Sequence, residues 1–243
     1  MKNLMYVLAL VLFCMISVAA VASAKSKSKP KSDNGRFTIM KKEIDLTNSP
    51  ILFEDNFRNN DFEKNWQVKS GEWKVKDGWC YGKYPENAPG MIVSLHDYFG
   101  DVCVEFDAQN VLPSNHDINV MWNGSWNEKL NKRDVAYVAG LQGWWEGKVG
   151  IEKSPEYKLN AGTPLFNYKP GKIYHVVAGS VDGHCFICVD GKVILEVTDP
   201  EPINSKKYGK VGFEAYCSSI RLTNVKVRQI KWKPIEMHYE PNF

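Results

Sequence analysis

Past its first residues the sequence has no stretch with a helical apolar period, no excess of one charge sign, and no break in composition that would divide two domains. The missing helical period excludes helix bundles and alternating α/β folds. The formal net charge is only +3, an excess no larger than the N-terminal cluster Lys25, Lys27, Lys29 and Lys31 supplies by itself, so a nucleic-acid partner is not supported. There is no Ser nucleophile elbow and no phosphate-cradling glycine loop. Cysteine is sparse. After residue 24 five remain (Cys80, Cys103, Cys185, Cys188 and Cys217), an odd number that leaves at least one thiol unpaired within the chain. Cys185 and Cys188 lie three apart on one β-prone run and point to opposite faces, so their Cys-x-x-Cys spacing is neither a redox motif nor half of a zinc site. Buried free thiols are the expectation, with room for one disulfide.

What is present begins with a processing signal. Met1-Lys2-Asn3 is positive, Leu4 to Val21 is apolar, and Ala22-Ser23-Ala24 fits a small-residue cleavage site. Residues 1–24 are therefore expected to be a signal peptide, with a retained anchor as the alternative. The mature chain is then secreted or periplasmic, without stable membrane insertion. Residues 25–49 are expected to be a linker, basic and low in complexity from Lys25 to Asn34.

Lys172 to Val197 carries the strongest structural signal. Asp182-Gly183 and Asp190-Gly191 separate three β-prone runs and suit two-residue type I′ loops, in which both central residues have positive φ. The register then places Val181 opposite His184, Gly179 opposite Phe186, Val177 opposite Cys188, Cys188 opposite Val193 and Phe186 opposite Leu195. One face is nearly all apolar and is expected to pack on a second sheet. The other face, with Ala178, Val176, Cys185, Ile187, Lys192 and Glu196, is mixed.

More than ten short runs of this kind succeed one another. They include Ile51–Phe57, the pair around Asp77-Gly78, Met91–Leu95, Asp101–Gln109, Asp117–Asn123, Val135–Gln142, Lys148–Lys153, Gly209–Cys217 and Ile220–Ile230. Ser154 to Gly171 holds three prolines and no period, and reads as a loop that covers one side of a groove. Residues 231–243 read as a surface tail. The fold class is all-β, a single jelly-roll sandwich of two antiparallel sheets over residues 50–230.

Phe53-x-Asp55-x-Phe57, Trp66, Gly71-x-Trp73-x-Val75-x-x-Gly78, Gly209-x-Val211-Gly212-Phe213 and Ile220-x-Leu222-x-Asn224-Val225-x-Val227 resemble the concanavalin A-like lectin/glucanase superfamily. His116 to Trp122 and Ala139 to Trp145 look most like its YesU-like branch, which accompanies polysaccharide degradation without a settled activity. The chain is more distantly similar to 3-keto-disaccharide hydrolase domains. The resemblance implies a concanavalin A-like jelly roll whose ligand lies on the concave sheet.

Residues expected to face that groove are Asp117 and Asn119, Gln142 and Trp144 with Trp145 beside them, Lys148 and Glu152, and Glu214 and Tyr216. Flat rings stack on pyranose C–H faces, and amides or carboxylates bridge vicinal hydroxyls, so this set suits a poly- or oligosaccharide. Trp144 and Trp145 are adjacent, and one is expected to pack inward. Glu105 and Asp107 share a strand face, but the laminarinase-type Glu-x-Asp-x-x-Glu pattern has Asn110 in its third place, which removes the acid/base. A saccharide-binding protein is the first reading. A glycoside hydrolase or polysaccharide lyase using Glu152, Glu214 or His116 is the second, and a structural surface protein whose groove is filled by its own chain is the third. No motif requires a cofactor. Asp55 and Asn224 could hold a structural calcium ion between the terminal strands, although surface hydrogen bonding accounts for them equally well.

Overall fold

The structure is a computed structural model that describes residues 35–144 and 147–236, apart from the side chains of residues 85–88. The expected signal peptide, the basic stretch to Asn34 and the end of the tail lie outside the described residues. The strands are β1 (Arg36–Ile39), β2 (Lys42–Asp45), β3 (Ile51–Asp55), β4 (Trp66–Ser70), β5 (Glu72–Lys76), β6 (Trp79–Ser94), β7 (Val102–Asn110), β8 (Ile118–Gly124), β9 (Trp126–Asn127) and β10 (Lys132–Arg133). They continue with β11 (Ala136–Trp144), β12 (Lys148–Ser154), β13 (Asn160–Thr163), β14 (Tyr174–Val181), β15 (His184–Val189), β16 (Lys192–Thr198), β17 (Lys210–Gln229) and β18 (Trp232–Pro234). One short helix, α1 (Phe62–Asn65), precedes β4.

Two long strands organise the rest. Gly209–Cys217 and Ile220–Ile230, expected as separate strands, form the single strand β17. Its front half pairs with β8 and with the end of β6, and its rear half pairs with β7, β3 and the start of β6. The register shifts between Tyr216 and Ser218, where Cys217 takes a positive φ of 50°. Such a bulge bends a strand, and here β17 passes from one layer to the other at that point. The front sheet runs β13-β12-β11-β8-β17-β6-β4, and the back sheet runs β16-β15-β14-β7-β17 with β3, β6 and β5 beyond. The arrangement is a concanavalin A-like jelly roll.

Between the layers lie the inward residues of the alternating strands: Ile118, Val120 and Trp122 from β8, Val104, Phe106 and Ala108 from β7, and Val211, Phe213 and Ala215 from β17. Phe213 sits against Phe106 and Trp66, with ring centroids 4.9 and 5.6 Å away. Burying a ring of this kind contributes roughly 2–3 kcal/mol. Trp122 Nε1 donates to Ser180 Oγ at 3.0 Å, so even the deepest indole N–H has a partner in the opposite layer.

The three Asp-Gly loops have the expected conformation, with φ of 49–80° at all six residues. Four of the five expected meander pairs occur, whereas Phe186 faces Glu196 and not Leu195. An irregularity after Ile187 inserts Ile194 as an extra residue on β16 and moves the outer part of that strand by one place.

The faces of the meander are also used differently from the expectation. Val176, Ala178, Cys185, Ile187 and Val189, on the face expected to be mixed, belong to the central core. The apolar face, with Val177, Val181, Phe186 and Cys188, packs instead under a small sheet of order β1-β2-β18. Ile39, Ile44 and Leu46 enter that second core from residues expected to be linker. The linker and tail assignments therefore fail over residues 36–45 and 232–234, which pair with each other. Covering on both sides explains why His184–Val189 is buried throughout and has no clean alternation.

Cys80, Cys103, Cys185 and Cys188 are buried free thiols, and burial pushes Cys103 and Cys188 up to about 12. Among the described residues no helix is long and apolar enough to cross a membrane.

Candidate functional site

The outer face of the front sheet is built in cross-strand rows. Met91, Glu214, Asn119, Gly140, Gly150 and Gly162 face one another from β6 through β17, β8, β11 and β12 to β13. The next row runs Val93, Gly212, Met121, Val138, Glu152 and Asn160. Glu214 and Asn119 on the middle strands, and Glu152 and Asn160 beside the edge, thus border a floor where Gly140, Gly150 and Gly162 succeed one another across β11, β12 and β13. The reason is steric. A Cβ on Gly150 would lie 2.1 Å from Trp144 Cγ, and one on Gly140 would lie 1.8 Å from Asn119 Oδ1. The Trp144 indole therefore lies flat across the glycines, and only 8% of the residue is exposed.

Above this floor is a cavity of about 410 Å³ lined by Asp117, Asn119, Arg133, Trp144, Glu152, Tyr157, Asn160, Glu214 and Tyr216, among others. A second cavity of about 410 Å³ adjoins it, lined by Tyr84, Met91, Trp126, Tyr157 and neighbours, and shares Pro89, Arg133 and Tyr157 with the first. The partition is Arg133. It arrives on the β9–β10 hairpin, which folds over the sheet from the stretch between β8 and β11. Its guanidinium donates to Glu214 Oε2 through Nη1, to Glu152 Oε1 through Nη2 at 3.3 Å and to Ser154 Oγ through Nε at 2.9 Å.

Charge is not balanced within the first cavity. Three carboxylates line it with one guanidinium. Burial raises Glu152 to about 7, against the opposing pull of Arg133 and with help from Glu214 and Asp117. Burial likewise raises Asp117 to about 6, although His116 Nδ1 lies 2.9 Å from its Oδ2 and works the other way. Asn119 Oδ1 and Trp144 Nε1 are buried and have no hydrogen-bond partner among the described residues. Trp126 Nε1, in the adjoining cavity, is in the same position.

Six of the residues expected to face the groove come together here: Asp117, Asn119, Trp144, Glu152, Glu214 and Tyr216. His116 stands behind Asp117 and is not part of the lining. Gln142 and Trp144 do not share a face as expected. The register of β11 is irregular after Gly140, and Gln142 has a positive φ of 66° with its amide lying over Gly147. Lys148 pairs with Trp144 across the β11–β12 turn and is not in the lining, and Glu152 binds Arg133 and not Lys148. Trp145 lies outside the described residues. Sequence reasoning missed Arg133 and Tyr157. Arg133 sits on the two-residue strand β10 and Tyr157 on the β12–β13 connection, both too short for a period to mark which way a side chain points. The Ser154–Gly171 segment does border the groove, but part of it is ordered as β13.

Asp55 and Asn224 line a different cleft of about 440 Å³ beside the back sheet, together with Glu105, Asp107 and His175. Its polar groups satisfy one another. Asp55 accepts from Phe57 N at 2.7 Å, Trp66 Nε1 at 3.0 Å and Asn65 Nδ2 at 3.2 Å. Asp107 accepts from Asn224 Nδ2 at 2.7 Å and lies 2.8 Å from His175 Nδ1. Glu105 pairs with Arg228 at 2.6 Å. Among the described residues no group of three or more His, Cys, Asp or Glu side chains is placed to hold a metal.

The fold and the grooved front sheet define a lectin/glucanase-type jelly roll, and comparison with solved structures agrees at the level of fold. The chain is similar to a Bacillus subtilis protein of unknown function with a galectin-like fold, with a TM-score of 0.58 and 15% identity over 75% of this chain and 98% of that one. It is similar to the carbohydrate binding module CBM66 from Bacillus subtilis, with a TM-score of 0.53 and 15% identity over 68% and 96%. It is also similar to a Bacillus licheniformis β-glucanase, with a TM-score of 0.53 and 12% identity over 73% and 97%. No family model and no curated protein matches the sequence.

Proposed function

We propose that this chain is an exported protein that recognises a poly- or oligosaccharide in the groove of its front sheet. The observation that carries the reading is the pair of buried, unpartnered polar atoms, Asn119 Oδ1 and Trp144 Nε1, on residues that line one cavity. A buried polar group left unpaired costs about 1–3 kcal/mol, so native proteins rarely keep two together without a use for them. One is an acceptor and the other a donor. A sugar hydroxyl both donates and accepts, and the carboxylates of Asp117, Glu152 and Glu214 offer further acceptors for vicinal hydroxyls. The similar structures include a carbohydrate binding module and a β-glucanase, which supports the same class. Within the superfamily we place the chain nearest the YesU-like branch, on residues 116–122 and 139–145.

A second reading, a glycoside hydrolase, is favoured by one observation. Glu152, raised to about 7, would keep its proton near neutral pH as a general acid must, with Glu214 as the second carboxylate. Against it, the Arg133 guanidinium that touches both carboxylates stands between them, where a scissile bond would have to lie. Binding is therefore the preferred reading.

A glycan screen on the mature protein, scoring both retention and new reducing ends, tests the choice. Retention without product, lost in Glu214→Gln and Tyr216→Ala, is expected. Product formation abolished by Glu152→Gln would replace binding with hydrolysis, and retention by neither wild type nor variants would remove both.

A further inference from the structure

The uneven charge of the groove bears on which sugar it takes, an inference that rests on the saccharide reading of the same groove. Glu214 is closely paired with Arg133. Glu152 has the longer contact to the same guanidinium, 3.3 Å, and among the described residues Asp117 has the half-exposed His116 ring and a 3.4 Å contact from Asn119 Nδ2. Both carboxyl side chains are largely withdrawn from water, at 15% and 9% exposure. A carboxylate in that setting is stabilised by a cation or by a proton, and among the described lining residues the Arg133 guanidinium stands against three carboxylates. An anionic ligand would add to the imbalance, whereas a cationic one would relieve it. Beside these carboxylates stand the unpartnered Asn119 and Trp144 atoms, which suit hydroxyl groups.

We propose that the cavity takes a sugar unit carrying a free, protonated amine, with the carboxylate of Asp117 or of Glu152 holding the ammonium group, in preference to neutral, uronate or sulfated units. The ammonium would donate to that carboxylate while neighbouring hydroxyls meet Asn119 Oδ1 and Trp144 Nε1. An N-acetylated unit would lose the charge and most of the preference.

Calorimetric titration at pH 7 with four probes tests this: the tetramer of glucosamine, its N-acetylated counterpart, cellotetraose and tetragalacturonate. The glucosamine tetramer is expected to bind at least tenfold more tightly than the two neutral tetramers, with affinity falling as salt is raised, and tetragalacturonate is expected not to bind. Of Asp117→Asn and Glu152→Gln, each checked for a normal unfolding transition, at least one should bring the glucosamine tetramer down to the level of the neutral ones, and a preference intact in both would overturn the inference. Neutral tetramers bound as tightly as the amino sugar, and lost in Glu214→Gln, would overturn the amine preference while leaving the saccharide reading in place. Binding of tetragalacturonate would do the same. No binding of any tetramer by the wild type would overturn the inference, and joined to a blank glycan screen would overturn the saccharide reading as well.

Discussion

Glu152→Gln should stabilise this protein at alkaline pH and do little at acid pH. The folded environment lifts the Glu152 carboxyl from its ordinary 4.5 to about 7, chiefly by burial. The folded state therefore holds the proton more tightly than the unfolded state does, and stability falls as pH rises from about 4.5 to about 7. At about 1.4 kcal/mol for each tenfold in proton affinity, keeping Glu152 ionised at pH 8 costs the fold about 3 kcal/mol. The side chain retains 15% exposure, which trims this to about 2–3 kcal/mol. Gln mimics the protonated carboxyl in size and polarity and removes the cost. For a domain of this size that gain corresponds to a rise in Tm of about 5–10 °C. Thermal unfolding of wild type and variant at pH 8 and pH 5 measures it, with the advantage present at pH 8 and nearly gone at pH 5. An equal effect at both pH values, or a loss of stability at pH 8, would refute the claim that Glu152 is an insufficiently neutralised buried carboxylate. A stability cost kept in a groove is what the saccharide reading of that groove expects.

Other consequences are as direct. Gly150→Ala would bring a methyl group to 2.1 Å from the Trp144 ring, so urea unfolding should show a loss of about 1–3 kcal/mol together with loss of saccharide retention. Ile44→Ala opens the second core beneath the small terminal sheet and should cost about 2–5 kcal/mol by the same measurement, although Ile44 lies in a stretch whose sequence reads as linker. Cys80, Cys103, Cys185 and Cys188 should resist a thiol reagent in the native protein and react on unfolding, because burial disfavours the thiolate at each.

Where a strand alternates apolar and polar residues, the sequence was enough to say which of them face the central core, even though β8 is buried on both faces. Ile118, Val120 and Trp122 point into the core and Asp117, Asn119 and Met121 point away from it, and Glu214 and Tyr216 oppose Phe213 in the same manner. The Asp-Gly loops likewise declare their turn type, because positive φ at two successive residues has few other solutions. Legibility failed where the backbone departs from period two. The irregularity around Gln142 displaces the end of its strand by two residues and the one at Ile194 displaces its strand by one, and nothing in the local composition marks them. It failed again where the covering element is distant. Phe186 and Cys188 are buried by residues near 40 and 230, which no local pattern could announce. Arg133, which divides the groove, comes from a polar connection and is assigned by tertiary contacts alone.

The central claim, that a saccharide completes the buried polar atoms of the front sheet, is tested most directly at the Trp144 indole N–H. In a nitrogen-15 correlation spectrum its resonance can be assigned by its absence in Trp144→Phe, and tracked while a glycan retained in the screen is added. It should shift and become protected from exchange. The indole N–H groups of Trp66 and Trp122, already bonded to Asp55 and Ser180, should stay where they are. A Trp144 signal unmoved at saturating glycan would place the ligand elsewhere and contradict the account.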